Sequence, residues 1–157
     1  MRKLMLLVTV LGLAGSLSAA DPIVGTWKVN PAKSKAPASA AANTKETIAV
    51  FREIDADTIE GTSTETRNDG STVSAKWTVP KRGGNLTYQQ GGPAQGISII
   101  ATIIDLNTTY NTYLQNGKQV GLMHVSISKD GKTFTTSWKG TDAQGKPYEY
   151  FVLYEKQ

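Results

Sequence analysis

The chain has no cysteine and a single histidine, His124, in 157 residues. Absent thiols exclude disulfide staples, a cysteine nucleophile, thiolate metal centres and a thiol for lipid attachment. One imidazole with scattered carboxylates cannot supply the three or four clustered ligands of a usual metal site, so neither a metal nor a cofactor is expected. No serine stands in a Gly-x-Ser-x-Gly turn, and Asp55 and Asp57 flank Ala56 in what reads as a turn rather than an acid pair. Catalysis is therefore not expected. A strong charge excess is also missing: 17 basic residues face 13 acidic ones, and two of the basic residues, Arg2 and Lys3, fall in a segment set aside below. Lys33, Lys35 and Lys45, and the pair Lys81-Arg82, are not interleaved with aromatics, so solvated charge rather than a nucleic-acid surface is expected.

What is present begins with a processing signal. Arg2-Lys3 is a charged start, Leu4 to Leu13 an apolar core, and Ser18-Ala19-Ala20 a small-residue cleavage site before Asp21. The apolar run is shorter than the about 20 residues of a spanning helix. Residues 1–20 are thus expected to be a secretory signal peptide. Residues 21–157 are expected to be one exported domain, periplasmic or extracellular, soluble, with no membrane span and no lipid anchor. At that length about two-thirds of the unfolded chain's surface can be buried.

The remainder reads as strands. In Ile23 to Asn30, Ile23, Gly25, Trp27 and Val29 share one face at the period of two, which points Trp27 inward. Gly25 lets another backbone or ring approach closely. Pro31 to Asn43, rich in alanine and broken by Pro37, predicts a loop or short helix across one end of the fold, either a lid or a surface excursion. Strand patterns follow at Thr47 to Ile54, Thr58 to Arg67, Thr72 to Val79 and Asn85 to Gln90. They continue at Ile97 to Leu106, Thr108 to Gln115, Lys118 to Ser128, Thr133 to Gly140 and Lys146 to Lys156. Thr72 to Val79 alternates, with Val73, Ala75, Trp77 and Val79 on one face. Ile97 to Leu106, rich in isoleucine, predicts a strand buried on both faces. Turns are expected at Asn68-Asp69-Gly70, Lys129 to Lys132 and Asp142 to Gly145, and Asn116-Gly117 is the strongest hairpin signal. Gly91 to Gly96 is a loop, since it lacks the helix start and Lys-Ser/Thr pair of a phosphate cradle. The fold class is all-β: a single antiparallel up-and-down barrel of about 8–10 strands, whose closure removes the edge liability of an open sheet.

Gly25-Thr26-Trp27-Lys28-Val29 is similar to the opening of the calycin group, the lipocalins and fatty-acid-binding proteins, in which a Gly-x-Trp closes the base of a ligand-binding barrel. Tyr154-Glu155-Lys156 resembles their closing strand, and Lys129-Asp130-Gly131-Lys132 their hairpins. The export signal and the alanine-rich crossing segment look more like bacterial exported lipocalin-like domains. The resemblance implies a calycin-like barrel closed around Gly25 and Trp27, with Lys156 or Lys139 laid over the Trp27 ring. It also implies a small hydrophobic or amphipathic ligand. The family's carboxylate-binding Arg-x-Tyr matches Val152 and Tyr154, so the arginine is absent. A buried carboxylate would lack its bidentate partner.

Candidate ligand contacts are the aromatics Trp77, Tyr88, Tyr110, Tyr113, Trp138, Tyr150 and Tyr154, which offer an apolar body with a polar tip, together with His124 if its imidazole points inward. Tyr148, Tyr150, Val152 and Tyr154 share one strand face. Two readings follow. One is a non-enzymatic carrier with an open cavity; the other is a filled barrel acting as an interaction or structural module of the cell envelope. A third, an enzyme, would need His124, a carboxylate and a tyrosine to converge in the cavity.

Overall fold

The computed structural model describes residues 21–37, 42–141 and 145–157. In chain order the strands are β1 (Gly25–Val29), β2 (Thr44–Glu53), β3 (Thr58–Arg67), β4 (Thr72–Pro80), β5 (Gly84–Asn85) and β6 (Thr87–Gln90). Then come β7 (Ile97–Asp105), β8 (Thr108–Gln115), β9 (Lys118–Ile127), β10 (Thr133–Thr141) and β11 (Pro147–Lys156). All pairings are antiparallel, in the order β5-β7-β8-β9-β10-β11-β1-β2-β3-β4-β6. Among the described residues no helix is long and apolar enough to cross a membrane.

The two ends of that order are halves of one bent segment. Gly84 and Asn85 pair with Ala101 and Ile100 of β7, and the Leu86 N–H donates to the Ile99 carbonyl at 2.9 Å. Thr87 and Tyr88 then pair with Thr78 and Trp77 of β4. By switching partner at Leu86, the segment turns an open sheet into a nearly closed barrel and uses the hydrogen-bonding groups that an edge would expose. The short strand expected at Asn85 to Gln90 is therefore two strands, which raises the count among the described residues to eleven.

Local sequence explains the connections. Asn116 and Gly117 both take positive φ, 51° and 79°, as the tight turn between β8 and β9 requires. Ile97–Asp105 departs from expectation: Ile99 and Ala101 are buried, but Ile104 is 58% exposed. In a single-layer barrel the outer face of each strand meets water, so isoleucine enrichment here does not mean burial on both faces. Of the crossing segment expected at Pro31 to Asn43, a 3-10 turn at Pro31–Lys33 is followed by Lys35, which exchanges two backbone hydrogen bonds with Phe151 at 2.8 and 3.0 Å. The Ser34 hydroxyl accepts from the Leu153 N–H at 2.9 Å. These contacts continue the β11 edge beyond the end of β1. Residues 38–41, and most of the turn expected at Asp142 to Gly145, lie outside the described residues.

One core cluster gathers around Trp27. Trp27 is fully buried with Ala49, Ile127 and Phe134, and Ile23, Phe51, Val125 and Tyr154 pack against them. Its indole N–H donates to the Ile23 carbonyl at 2.7 Å, and Phe134 meets it edge-on at 4.9 Å.

A second large indole is placed by a glycine. Gly61 of β3 is the cross-strand partner of Trp77, and a Cβ there would stand 2.5 Å from the Trp77 Cε2 and Cζ2 atoms. Gly61→Ala should therefore push the ring off its seat and cost about 1–3 kcal/mol, the usual range for overpacking. Urea unfolding with tryptophan emission reads both effects; an unchanged midpoint and spectrum would contradict the contact.

Candidate ligand cavity

Above the Trp27 core the barrel is not filled. The inward side chains enclose a cavity of about 470 Å³, above the roughly 300 Å³ at which ligand pockets begin. Cross-strand register builds its walls. Trp138 of β10 opposes Tyr150 of β11, and their rings stack at 5.7 Å and 17°. Tyr113 of β8 approaches Trp138 at 5.0 Å, and Tyr148 stacks on Tyr150 at 5.9 Å. Glycine makes room here too: a Cβ on Gly140 would meet the Tyr148 hydroxyl oxygen at 2.5 Å. The opposite wall is Phe51, Trp77 and Tyr88, with successive ring centroids 5.9 and 5.8 Å apart. The floor is Phe134 stacked on Tyr154 at 4.2 Å.

Polar groups are few. Asp21, Lys81 and Asp105 are the charged side chains on the wall. Lys81 bonds Glu53 at 3.1 Å, and Glu53 also accepts from the Asp21 N–H at 3.3 Å. Those two donors hold the Glu53 carboxyl below the usual carboxylate range. Leu106 both lines the cavity and is 70% exposed, which marks an opening beside it. Deeper in, β8 presents Thr109, Asn111 and Tyr113. Among the described residues no three His, Cys, Asp or Glu side chains gather as a metal site would require.

The structure brings Trp77, Tyr88, Tyr113, Trp138, Tyr150 and Tyr154 together on the cavity. It does not bring Tyr110 and His124 there. Asn111 and Tyr113 on β8, and Met123 and Val125 on β9, point inward, so the alternate residues Tyr110 and His124 point outward. They are cross-strand partners whose rings stack at 4.7 Å and 26°. An inward imidazole is thus corrected, and no His124, carboxylate and tyrosine converge in the cavity. Strand parity separates two faces but does not say which is inside. At the base, the Lys156 ammonium lies 4.9 Å from the Trp27 ring centroid, and a Cβ on Gly25 would meet Lys156 Cε at 2.7 Å. Lys139 instead pairs with Glu149 at 3.0 Å.

Sequence reasoning passed over Phe51, Phe134 and Asn111. The last carries a signal: asparagine is depleted in strands, so one inside a clear strand pattern asks for a reason.

Burial raises the pKa of the wall tyrosines by disfavouring tyrosinate. Tyr150 and Tyr154 are each pushed up to about 12, and Tyr88 and Tyr113 are raised, Tyr113 also by neighbouring Tyr88 and Tyr150. A tyrosine of the unfolded chain ionises near pH 10, so the unfolded state loses these protons first. Stability from these groups is complete below about pH 10 and is lost as pH rises toward about 12. The urea midpoint should fall across that window, with tyrosinate absorbance, read near about 295 nm, rising as the chain unfolds; a flat midpoint would contradict the burial.

No family model matches the chain, and none of the curated proteins does. Solved structures do. A point mutant of the fluorescent protein UnaG is 13% identical, with a TM-score of 0.60 over 88% of this chain and 99% of that one. Wild-type UnaG is likewise 13% identical, with a TM-score of 0.56 over 88% of this chain and 100% of that one. A redesigned beta barrel, mFAP1 bound to DFHBI, is 14% identical at a TM-score of 0.42, covering 87% of this chain and 95% of that one. At such identity the likeness to UnaG is one of fold, and the fold is an antiparallel calycin-like β-barrel of the fatty-acid-binding-protein type.

Proposed function

We propose that this chain is an exported, non-enzymatic binding protein for a small hydrophobic or amphipathic molecule held in the barrel. The observation that carries the reading is the open cavity of about 470 Å³ with aromatic walls. The alternative, a filled barrel used as an interaction or structural module of the cell envelope, requires a packed interior, and the cavity speaks against it. Apolar burial would drive binding. About 400 Å² of ligand surface at about 25 cal/mol per Å² is worth roughly 10 kcal/mol, which association costs of about 4 kcal/mol or more reduce to a Kd of roughly tens of micromolar.

The lining also says what does not fit. Val152 and Tyr154 both face the cavity, and Lys81, the one cation on its wall among the described residues, is engaged by Glu53 at 3.1 Å. A carboxylate in the interior would find no guanidinium on the described wall and only an ammonium already paired with Glu53, which favours neutral ligands.

Export rests on the signal-like residues 1–20. Cleavage before Asp21 would leave a free amine where the Asp21 N–H now stands 3.3 Å from Glu53. The intact mass of protein recovered from an exporting bacterium should correspond to residues 21–157; a full-length mass would contradict cleavage there.

Binding is tested with N-phenyl-1-naphthylamine, whose emission rises in apolar surroundings. The purified protein should take up one equivalent with a Kd of roughly tens of micromolar. Ala75→Phe, which directs a ring into the cavity from β4, should abolish uptake with the urea midpoint little changed, because the ring enters open space. Uptake unaffected by Ala75→Phe would place the dye elsewhere and contradict the reading.

A further inference from the structure

One part of the cavity wall holds hydrogen-bond donors that the chain itself does not use. Trp138 has Tyr113 and Tyr150 beside it, with ring centroids 5.0 and 5.7 Å away. Tyr88 and Tyr150 are close enough to Tyr113 that charge on either disfavours charge on it. Neither these three hydroxyls nor the Trp138 indole N–H has a hydrogen-bond partner among the described residues. Outside the exposed residues, the one described side-chain polar atom both unpartnered and closed off is the Asn111 oxygen. The three hydroxyls and the indole N–H therefore keep accessible surface, and their residues line the cavity.

The chemistry of these groups is one-sided. An indole N–H can only donate. A phenol, whose oxygen lone pair is partly delocalised into the ring, donates better than it accepts, and burial keeps these phenols protonated. The charged groups of the wall stand elsewhere. Asp105 pairs with Thr108, and Tyr113 is five residues farther along β8, roughly 17 Å in an extended strand. Asp21 and Lys81 both bond Glu53. An anion at the phenols would meet no cation and would be disfavoured by the burial that disfavours tyrosinate. A neutral acceptor carries no such penalty.

We propose that the ligand presents a neutral acceptor, a ketone, ester or amide carbonyl, to this part of the wall, and that Tyr113, Tyr150 and Trp138 donate to it. The proposal rests on the binding function above and narrows its ligand class to apolar molecules with a carbonyl at the end held away from Asp105. A purely hydrocarbon ligand would leave the donors unmet.

The probes are 6-propionyl-2-(dimethylamino)naphthalene, whose emission moves to longer wavelength when its carbonyl accepts a hydrogen bond, and the 6-propyl analogue, which lacks the carbonyl. Combining Tyr113→Phe with Tyr150→Phe removes both oxygens and keeps both rings. Neither hydroxyl has a partner among the described residues, so the urea midpoint should hold. The ketone should bind this variant about three- to tenfold more weakly, the worth of a neutral hydrogen bond, and emit at shorter wavelength than in the unaltered protein. The propyl analogue should bind both proteins within about twofold. Tyr113→Phe alone gives the same readout should the double variant fail to fold. A ketone affinity and emission unchanged by the substitutions would overturn the proposal. Equal weakening of both probes would be a packing effect and would also overturn it. Uptake of N-phenyl-1-naphthylamine without uptake of the ketone would overturn the proposal and leave the binding function standing; failure of all three to bind would remove both.

Discussion

The burial of Trp27 is the contact on which the barrel depends. β1 is only five residues long, yet it pairs with β2 on one side and β11 on the other and so joins the first and last parts of the chain. Its grip comes from one side chain. The Trp27 ring is completely buried, fixed by a hydrogen bond to Ile23, and covered by Phe134 on one side and the Lys156 ammonium on another. Truncating a buried tryptophan typically costs about 3–5 kcal/mol, a large part of the roughly 5–15 kcal/mol that holds a domain of this size together. With no disulfide and no metal cluster among the described residues, little else could replace it.

The Trp27 cluster borders a cavity that it does not fill, and glycines stand beside several of the large side chains. Trp77 lies flat over Gly61, Tyr148 over Gly140, and the Lys156 stem over Gly25. Only the Trp77 ring among these lines the cavity, seated against β3 because Gly61 has no Cβ. The aromatic area that would fill a small barrel becomes its lining. The cavity thus owes part of its width to Gly61 standing opposite Trp77 in the strand register, and its apolar character follows from the aromatic and aliphatic side chains that line it.

Much of this was legible in the sequence. Alternation in Thr72 to Val79 put Trp77 on one strand face with Ala75 and Val79, and the parity of the last strand grouped Tyr150, Val152 and Tyr154, which line the cavity, with Tyr148, which is exposed beyond it. Asn116-Gly117 located its hairpin through the positive φ that such turns need. What was not legible depends on the third dimension. Parity cannot tell inside from outside on a strand with apolar residues on both faces, which is why His124 and Tyr110 were grouped with the cavity although Met123 and Val125 occupy it. Isoleucine enrichment in Ile97–Asp105 suggested double burial, which a single-layer barrel does not offer. The split of Gly84–Gln90 into two strands comes from a change of partner at Leu86 that no local pattern encodes.

The central claim is that a small molecule occupies the interior of this barrel, and β9 offers a direct way to test it, because Met123 faces the cavity and its neighbour Leu122 faces away from it. With methyl-labelled protein and saturating N-phenyl-1-naphthylamine, intermolecular NOEs should connect the probe to the methyls of Met123 and Val152 and should be absent at Leu122. Contacts at Leu122 with none at Met123 would put the molecule on the outer surface and contradict the account.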